Sequence, residues 1–336
     1  MAMPKYIRLR DELLARIRSG EFTPGDRLPT REALIQEYKV TRTTVNRSIE
    51  ELVRSGVLTC SRRTGTFVTD TLPAVRAVVV SGNPGTSPDP HARNIDLTAL
   101  YNSLIAGTDG LRIIFVSPGD VSRNLQPLNG YDAVLWIQPD DTDMDRFKAL
   151  GSKVIITNRY PDSVNFISTN HREAIREATE HYIRVSGPDS QLYFAGFHSS
   201  GFVAEERKQG FVDACEIHNR FYRLIQLKRD FESDLASLMK LPVDSNVPTV
   251  VIASSSILTG TVLAMMRKKK LEYGKTFYYC DFDNPDAKQI HGIPVSTILQ
   301  DYKAMGTESL AALKTVHARP VRKFVPHRIK DLVEKP

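Results

Sequence analysis

The sequence predicts an α/β protein in two parts: a small domain of three helices and a hairpin, then a larger, doubly wound α/β region in two lobes. Residues 1–70 contain three amphipathic helical patterns followed by two short β-type runs. From Val75 onward, short apolar runs alternate with helical patterns, which is typical of parallel strands whose helices cover both faces of the sheet. The chain of 336 residues exceeds a single hydrophobic core, so two or three folding units are expected.

The first two helices are bounded by recognisable start and stop residues. The pattern over residues 5–19 predicts an amphipathic helix that Gly20 ends. Thr30 is a good N-cap for a second helix that runs through Tyr38. The apolar stripe of the first helix consists of Tyr6, Leu9, Leu13 and Ile17.

A third helix and a hairpin complete the first domain. Thr41 is predicted to cap the helix, which ends at Gly56. Two β-type runs follow, at 57–61 and 66–69, on either side of a short tip. Three helices and a small hairpin form a winged helix-turn-helix. The residues of the third helix expected to face inward are Val45, Ile49, Leu52 and Val53.

The polar face of the third helix carries the chemistry of DNA recognition. Arginine can pair with guanine, asparagine can read adenine, and threonine hydroxyls can hold phosphates in or beside the major groove. An ordinary solvated helix face is the alternative, but two arginines at the hairpin tip, where a wing meets DNA, favour recognition. The predicted DNA-binding residues are Arg31, Thr41, Arg42, Thr43, Thr44, Asn46, Arg47, Arg62, Arg63 and Gly65.

Composition places the chain among ordinary globular proteins, with 41% apolar and 25% charged residues. Residues 1–70 hold 13 Lys and Arg against 9 Asp and Glu, and the other 266 residues hold 32 against 30. Two thirds of the net charge of +6 therefore lies in the first domain. This is a mild electrostatic footprint for a polyanionic partner.

The remaining sequence signals exclude several classes of protein. Cys60, Cys215 and Cys280 lie far apart, and the histidines lack metal-ligand spacing, so neither a metal site nor a disulfide framework is predicted. No signal peptide or membrane-spanning run is recognisable, which predicts a cytoplasmic protein. No set of acid, base and nucleophile can be assembled. We therefore expect no cofactor and no enzymatic activity.

Residues 4–69 resemble the winged helix of GntR-type regulators. Four motifs carry the resemblance, in the family's order and spacing. The second helix and the wing depart from the usual pattern: Arg31 precedes Glu32, and the wing reads Arg63-Thr64-Gly65 rather than Gly-x-Gly. The motifs are Pro24-Gly25-Asp26-Arg27-Leu28-Pro29, Val40-Thr41-Arg42-Thr43-Thr44-Val45, Leu52 through Gly56, and Gly65-Thr66-Phe67-Val68.

Residues 75–330 are similar to the effector domain of LacI/GalR regulators, which resembles type I periplasmic sugar-binding proteins. The combined architecture is similar to that of arabinose repressors. The motifs that carry the similarity are Tyr131-Asp132-Ala133-Val134-Leu135-Trp136, Val154-Ile155-Ile156-Thr157-Asn158-Arg159, Glu180-His181-Tyr182-Ile183, Arg207-Lys208-Gln209-Gly210-Phe211, Asp281-Phe282-Asp283 and Thr297-Ile298-Leu299-Gln300.

The resemblance implies a division into domains and lobes. The winged helix is expected at 1–70, a linker at 71–75, and the effector and dimerisation domain at 76–336. Three crossings of the chain are expected between the two lobes, with the second near Asn284-Pro285 and the third near Pro320. The lobes would comprise 76–161 plus 285–320, and 164–283 plus 321–336.

The resemblance also implies an effector site in the cleft between the lobes. Asn158 stands where Asp is common, Ser255 where Asn is common, and Glu205 where a sugar-clamping arginine is expected. Replacing a fork of donors by an anionic acceptor would make the cleft acidic and favour a neutral sugar, a polyol or an amine over a sugar phosphate. The predicted effector-binding residues are Asn158, Arg159, Glu205, Ser255, Asp283 and Gln300.

The combined interpretation is a dimeric regulator, a repressor or an activator, whose affinity for double-stranded operator DNA depends on a sugar-like effector. Two alternatives stay open. In the first, the effector domain only dimerises. In the second, the protein is a small-molecule-binding protein or enzyme with an incidental N-terminal domain.

Overall fold

The computed structural model describes most of the chain and divides it into two compact units. The first unit comprises the described residues of Met1–Gly82, Leu100–Ile167 and Met305–Lys323, and the second those of Asn83–Ala99, Ser168–Ala304 and Phe324–Pro336. The described residues are 4–61, 65–70, 72, 74–81, 97–108, 110–121, 124–139, 147, 150–197, 201–228, 230–244, 246–315 and 320–333.

The winged helix forms the N-terminal part of the first unit, as the sequence predicts. Thr30 Oγ1 accepts from the amide of Ala33 at 3.2 Å, and Thr41 Oγ1 accepts from that of Thr44 at 3.3 Å, so both predicted N-caps are confirmed. Val53 is 37% exposed, which corrects its assignment to the core. The elements are α1 (Lys5–Arg18), α2 (Arg31–Tyr38), α3 (Arg42–Arg54), β1 (Leu58–Ser61) and β2 (Gly65–Val68).

The first unit also contains a six-stranded sheet built from continuous apolar runs. Every residue of Ala133–Ile137 is buried, because helices or loops cover both faces of a central parallel strand. The sheet order is β13-β7-β6-β5-β3-β4, and β4, β3, β5, β6 and β7 pair in parallel. The strands are β3 (Val75–Ser81), β4 (Leu111–Val116), β5 (Ala133–Ile137), β6 (Val154–Thr157), β7 (Asn165–Thr169) and β13 (Arg322–Val325).

The second unit repeats this strand order. Its sheet runs β14-β12-β11-β10-β8-β9, in which only β14 is antiparallel to its neighbour. In each sheet the order reverses beside the first strand, and ligands of such sheets bind at the carboxyl ends of the strands near this switch point. The strands are β8 (Gln191–Phe197), β9 (Tyr222–Leu227), β10 (Thr249–Ala253), β11 (Phe277–Phe282), β12 (Ser296–Gln300) and β14 (His327–Lys330).

Helices pack on both sheets, and two of them approach a neighbour closely at a glycine. A Cβ at Gly306 would lie 2.5 Å from the carbonyl oxygen of Leu100, and one at Gly210 would lie 2.1 Å from that of Arg172. The helices are α4 (Thr98–Ala106), α5 (Pro118–Val121), α6 (His171–Ser186), α7 (Phe202–Ile217), α8 (Phe231–Met239), α9 (Thr259–Lys268), α10 (Ala287–His291) and α11 (Tyr302–Thr315).

The path of the chain between the units differs from the expected one. β7 lies in the first sheet, so the first boundary falls after Ile167 rather than between 161 and 164. β12 lies in the second sheet, so the second boundary is at Met305 and not near Asn284-Pro285. β13 lies in the first sheet, and the last boundary follows Lys323. The Asn-Pro pair reads as a crossing because it is turn-like.

Candidate functional site

Helix α3 exposes two of its predicted DNA contacts to solvent. The side chain of Arg42 is 69% exposed and lies 3.8 Å from Glu32, a distance at which an exposed ion pair contributes little. Thr43 is exposed beside it. Thr41 and Thr44 share a hydroxyl hydrogen bond of 3.0 Å at the start of the helix, so their first role is to cap it.

The other predicted contacts on the helices already have partners within the domain. Arg31 Nε donates to Asn46 Oδ1 at 2.9 Å, which holds the asparagine side chain in one orientation. The guanidinium of Arg47 stacks 3.7 Å above the ring of Tyr6. This cation–π contact ties Arg47 to α1, and its predicted position in the groove stays a prediction.

The wing is described on one side of its tip. Gly65 has φ +116°, and a Cβ there would lie 2.8 Å from Arg27 Nε, so only glycine fits without strain. Arg62 and Arg63, which the sequence assigns to DNA contact, lie outside the described residues.

The carboxyl edge of the second sheet gathers a polar cluster. β10 leads into Ser254, β11 into Asp283, and β12 ends at Gln300, because parallel strands finish at the same edge of a sheet. Gln300 Nε2 donates to Asp283 Oδ2 at 2.7 Å, and the hydroxyl of Tyr302 donates to the same oxygen at 3.2 Å. Asp283 is thus oriented by two donors, and sequence reasoning missed Tyr302.

Arg207 on α7 is the buried cation of this cluster. It is 8% exposed, donates to the carbonyl of Ser254 at 2.6 Å, and lies 3.6 Å above the ring of Phe282. Burial raises the pKa of Asp283, and the positive charge of Arg207 opposes that rise. The site therefore combines one buried cation with one buried carboxyl group, and sequence reasoning assigned no role to Arg207.

Glu205 is placed differently from the expectation that it makes the site acidic. Its side chain is 52% exposed and pairs with Lys208 at 2.6 Å. Residues two apart on a helix lie on nearly opposite sides, so Glu205 and Arg207 do not share a face. The close approach of Gly210 to Arg172 fixes the rotation of α7 about its axis. The sequence signal for this part of the helix was the motif that runs from Arg207 to Gly210.

Ser255 caps a short helical turn rather than projecting freely. Its Oγ accepts from the amide of Ile257 at 3.3 Å, and the residue is half-buried. By contrast, Gln300 has a buried Oε1 with no hydrogen-bond partner within the described part of the chain. A pocket of about 420 Å³ opens beside Asp283, Gln300 and Tyr302.

The carboxyl edge of the first sheet presents two amide side chains. Asn158 follows β6 at φ +61°, and its buried Oδ1 has no partner among the residues described. Gln138 follows β5 at φ +48°, and its buried Nε2 likewise has none there. Arg159 donates to the carbonyl of Asn158 at 2.9 Å. Buried polar atoms normally have partners, so these amides are candidate ligand contacts. Sequence reasoning assigned no role to Gln138, although it follows the motif that ends at Trp136.

Asp281 is a second buried carboxyl group beneath the cluster. Its Oδ2 accepts from Thr259 Oγ1 at 2.6 Å and from Asn284 Nδ2 at 2.7 Å. Burial raises its pKa from 3.8 to about 6 in spite of these bonds.

This raised pKa predicts a pH dependence of stability. Below pH 3.8 the carboxyl is protonated in both states, and its contribution is complete. As the pH rises through about 6, Asp281 is already ionised in the unfolded chain but resists ionisation in the folded chain. The free energy of unfolding therefore falls. The free energy of unfolding falls in total by about 3 kcal/mol, because a pKa shift of one unit corresponds to about 1.36 kcal/mol.

Urea unfolding between pH 4.5 and 7.5 measures this effect. In Asp281→Asn, the difference in unfolding free energy from the unmodified chain should change by about 2 kcal/mol between these two pH values, because the rest of the loss falls below pH 4.5. Asp286→Asn, at an exposed carboxyl in the next turn, should leave the pH dependence unchanged. Parallel pH profiles for Asp281→Asn and the unmodified chain would show that Asp281 is not the titrating group.

Within the described part of the chain, no helix is long and apolar enough to cross a membrane, and no group of three or more His, Cys, Asp or Glu could hold a metal ion.

Comparison with known sequences supports the assignment of the first domain. Residues 5–68 match the model of bacterial regulatory proteins of the gntR family. The arabinose metabolism transcriptional repressor of Geobacillus stearothermophilus is 35% identical over 66 residues, 20% of this chain and 18% of that protein. The mannosyl-D-glycerate transport/metabolism system repressor MngR of Escherichia coli K12 is 38% identical over 65 residues, 19% of this chain and 27% of that protein. The chain thus spans about a fifth to a quarter of these curated relatives.

Solved structures share the fold of the larger region. A regulatory protein of the LacI family from Chloroflexus aggregans has a TM-score of 0.63 and 17% identity, covering 76% of this chain and 96% of its own. The complex of the transcriptional regulator CelR with cellobiose has a TM-score of 0.59 and 19% identity, covering 92% and 100%. The trehalose repressor from Escherichia coli has a TM-score of 0.57 and 16% identity, covering 76% and 99%. The chain therefore joins a winged helix that matches the gntR model to a larger region with the fold of these solved regulators.

Proposed function

We propose that this protein is a sequence-specific DNA-binding repressor whose operator affinity is controlled by a neutral, hydroxyl-bearing small molecule. One observation carries the proposal: a single chain contains both a winged helix and an effector domain. The winged helix has an exposed recognition face, and the sheet edges of the effector domain hold buried polar groups. The curated relatives are named as repressors, and several structural neighbours are named for sugars or complexed with one.

The buried amide groups at each sheet edge support a neutral polyol or sugar as the ligand. In the second unit, Gln300 holds a buried oxygen that can accept from a hydroxyl. In the first unit, Asn158 holds a buried acceptor and Gln138 a buried donor. The opposite charges of Arg207 and Asp283 lie in the same cluster, so the ligand needs no charge of its own to balance them. Side chains that hydrogen-bond hydroxyl groups give specificity, because an analogue without the hydroxyl would leave them unpaired.

Two copies of the chain would bind an operator of two half-sites. Winged helices on a dimer are related by a two-fold axis, which is mirrored in a palindromic operator. A ligand that binds one arrangement of the effector domain more tightly shifts the population toward it and changes operator affinity by the same free energy. We place the protein among the regulators rather than the enzymes and in the cytoplasm, where its DNA lies.

Selection of DNA from a random pool by the full chain tests the DNA-binding part of the proposal. Enrichment of a palindromic sequence is the expected result. Recovery of unrelated sequences with no common motif would contradict it.

Arg42→Ala is expected to weaken binding to the selected operator by about 1–3 kcal/mol, because Arg42 is an exposed cation in the first turn of α3, where a recognition helix meets base edges. Fluorescence anisotropy with labelled operator and with a scrambled duplex measures the change. Arg54→Ala, at an exposed arginine in the last turn of the same helix, is the matched control and should change affinity little. Equal affinity of Arg42→Ala and the unmodified chain for the operator would show that α3 is not the reading helix.

A further inference from the structure

Helix α1 has a second buried face, away from the core of its own domain. Leu9, Leu13 and Ile17 form the stripe that packs into the winged-helix core. At about 100° per residue, Ala15 lies roughly opposite the centre of that stripe. Even so, Ala15 is only 3% exposed and is not part of the winged-helix core cluster. Something outside that core must cover it.

The residues beside Ala15 on this face are charged and partly buried. Asp11 and Arg18 lie at four residues before and three after it, the spacing of neighbours along one helix face. Both are half-buried, and Arg18 Nη1 is buried without a hydrogen-bond partner in the described chain. Glu12, next around the helix, is exposed, and so is Arg8, which lies two turns before Ala15. The covered face therefore consists of Asp11, Ala15 and Arg18.

Two residues of the first effector lobe carry the complementary charges. Burial lowers the pKa of Arg18, and Asp132 is the acidic group that opposes this. Burial also lowers the pKa of Lys153. The negative charges of Asp132 and Asp11 raise this pKa, and the positive charge of Arg10 lowers it. These interactions place the acidic end of the α1 face near Lys153 and its basic end near Asp132. Lys153 Nζ donates to the carbonyls of Leu128 and Tyr131, which fixes its position on the lobe.

The connection between the two domains is short enough to hold this contact. Only six residues separate the end of β2 at Val68 from the start of β3 at Val75. Leu72 packs against the winged-helix core, and the amide of Val75 donates to the carbonyl of Gly110 in the lobe at 2.8 Å. The tether is therefore anchored at both ends, and few residues remain to act as a flexible linker.

We infer that the winged helix docks on the first effector lobe through the α1 face Asp11, Ala15 and Arg18, with Asp132 and Lys153 as its charged receptors. A docked winged helix moves with the first lobe as one body. If the proposed function holds, a ligand that displaces this lobe moves the recognition helix directly. The docking itself depends on neither DNA nor ligand, so the two ideas can fail separately.

Thiol labelling of the full chain tests the docking. Cys60 is the exposed native cysteine, whereas Cys215 and Cys280 are buried, so Cys60→Ser gives a quiet background. Ala15→Cys is a small change on the covered face, and Glu12→Cys is its match on the exposed side of the same helix. The thiol at position 15 should react with a maleimide at least on the order of ten-fold more slowly than that at position 12. Equal rates would overturn the docking.

A charge reversal then tests the role of the charges. Adding Arg18→Glu should bring the rate at position 15 close to that at position 12, whereas Arg8→Glu, the same change at an exposed arginine two turns before Ala15, should not. Leu13→Cys reports on folding, since Leu13 is fully buried in the winged-helix core. It should stay protected throughout. No acceleration by Arg18→Glu, or equal acceleration at positions 13 and 15, would overturn the charged docking face.

Discussion

Replacing Arg207 by methionine is expected to destabilise the second unit by about 3–5 kcal/mol, because removing one partner leaves a buried charge uncompensated. Arg207 is 8% exposed, bonds the carbonyl of Ser254, and lowers the pKa of the buried Asp283. Without it, the carbonyl loses its donor and the pKa of Asp283 rises further. Methionine keeps the apolar contact with Phe282 and so isolates the loss of charge and hydrogen bonds.

Urea unfolding followed by circular dichroism measures the change in unfolding free energy. Lys208→Met, at the neighbouring exposed cation that pairs with Glu205, should cost no more than about 1 kcal/mol. The double variant Arg207→Met with Asp283→Asn should recover part of the loss, since it removes the uncompensated carboxylate as well. Equal effects of the Arg207 and Lys208 substitutions would show that Arg207 is not part of a buried charge cluster.

Gly210→Ala is expected to destabilise the same unit by about 2–4 kcal/mol, although alanine normally favours a helix over glycine. The added Cβ would lie 2.1 Å from the backbone carbonyl oxygen of Arg172, which no rotation of a side chain can relieve. Helices α6 and α7 would have to separate, and with them Arg207 would leave its place above Phe282.

The matched control is Gly260→Ala on α9. A Cβ there meets nothing closer than His291 Cε1 at 3.8 Å, so this change should be neutral or stabilising by up to about 1 kcal/mol. Thermal unfolding of the two variants gives the comparison. A Gly210→Ala variant as stable as Gly260→Ala would mean that the two helices do not approach as closely as the structure shows.

The sequence predicts strands where it has continuous apolar runs. Ala133–Ile137 and Thr249–Ala253 are buried at every position, and their continuous apolar runs are legible without a structure. The edge strand Tyr222–Leu227 was missed because its burial is irregular and Arg223 and Gln226 interrupt the apolar run. The repeat of one strand order in two sheets was also missed, because topology can recur without a repeated sequence.

The candidate site was predictable only as far as strand ends and motifs reveal it. Asp283 and Gln300 follow recognisable strands, and the structure places both in one hydrogen-bonded cluster. Choosing between Glu205 and Arg207 requires the rotation of α7 about its axis, which is set by the contact of Gly210 with another helix. That contact joins residues far apart in the chain, and no local pattern around position 205 encodes it.

The most direct test of the proposed regulation is the affinity of the full chain for its selected operator, measured by anisotropy in the presence of glucose, arabinose, cellobiose, trehalose, glycerol and glucose 6-phosphate in turn. We expect a neutral sugar or polyol to change the operator dissociation constant by roughly 5- to 150-fold, the usual range of allosteric coupling. The same compound should also raise the thermal stability of the unmodified chain. A sugar phosphate acting more strongly than every neutral compound, or no change with any of the six, would contradict control of DNA binding by a neutral, hydroxyl-bearing ligand.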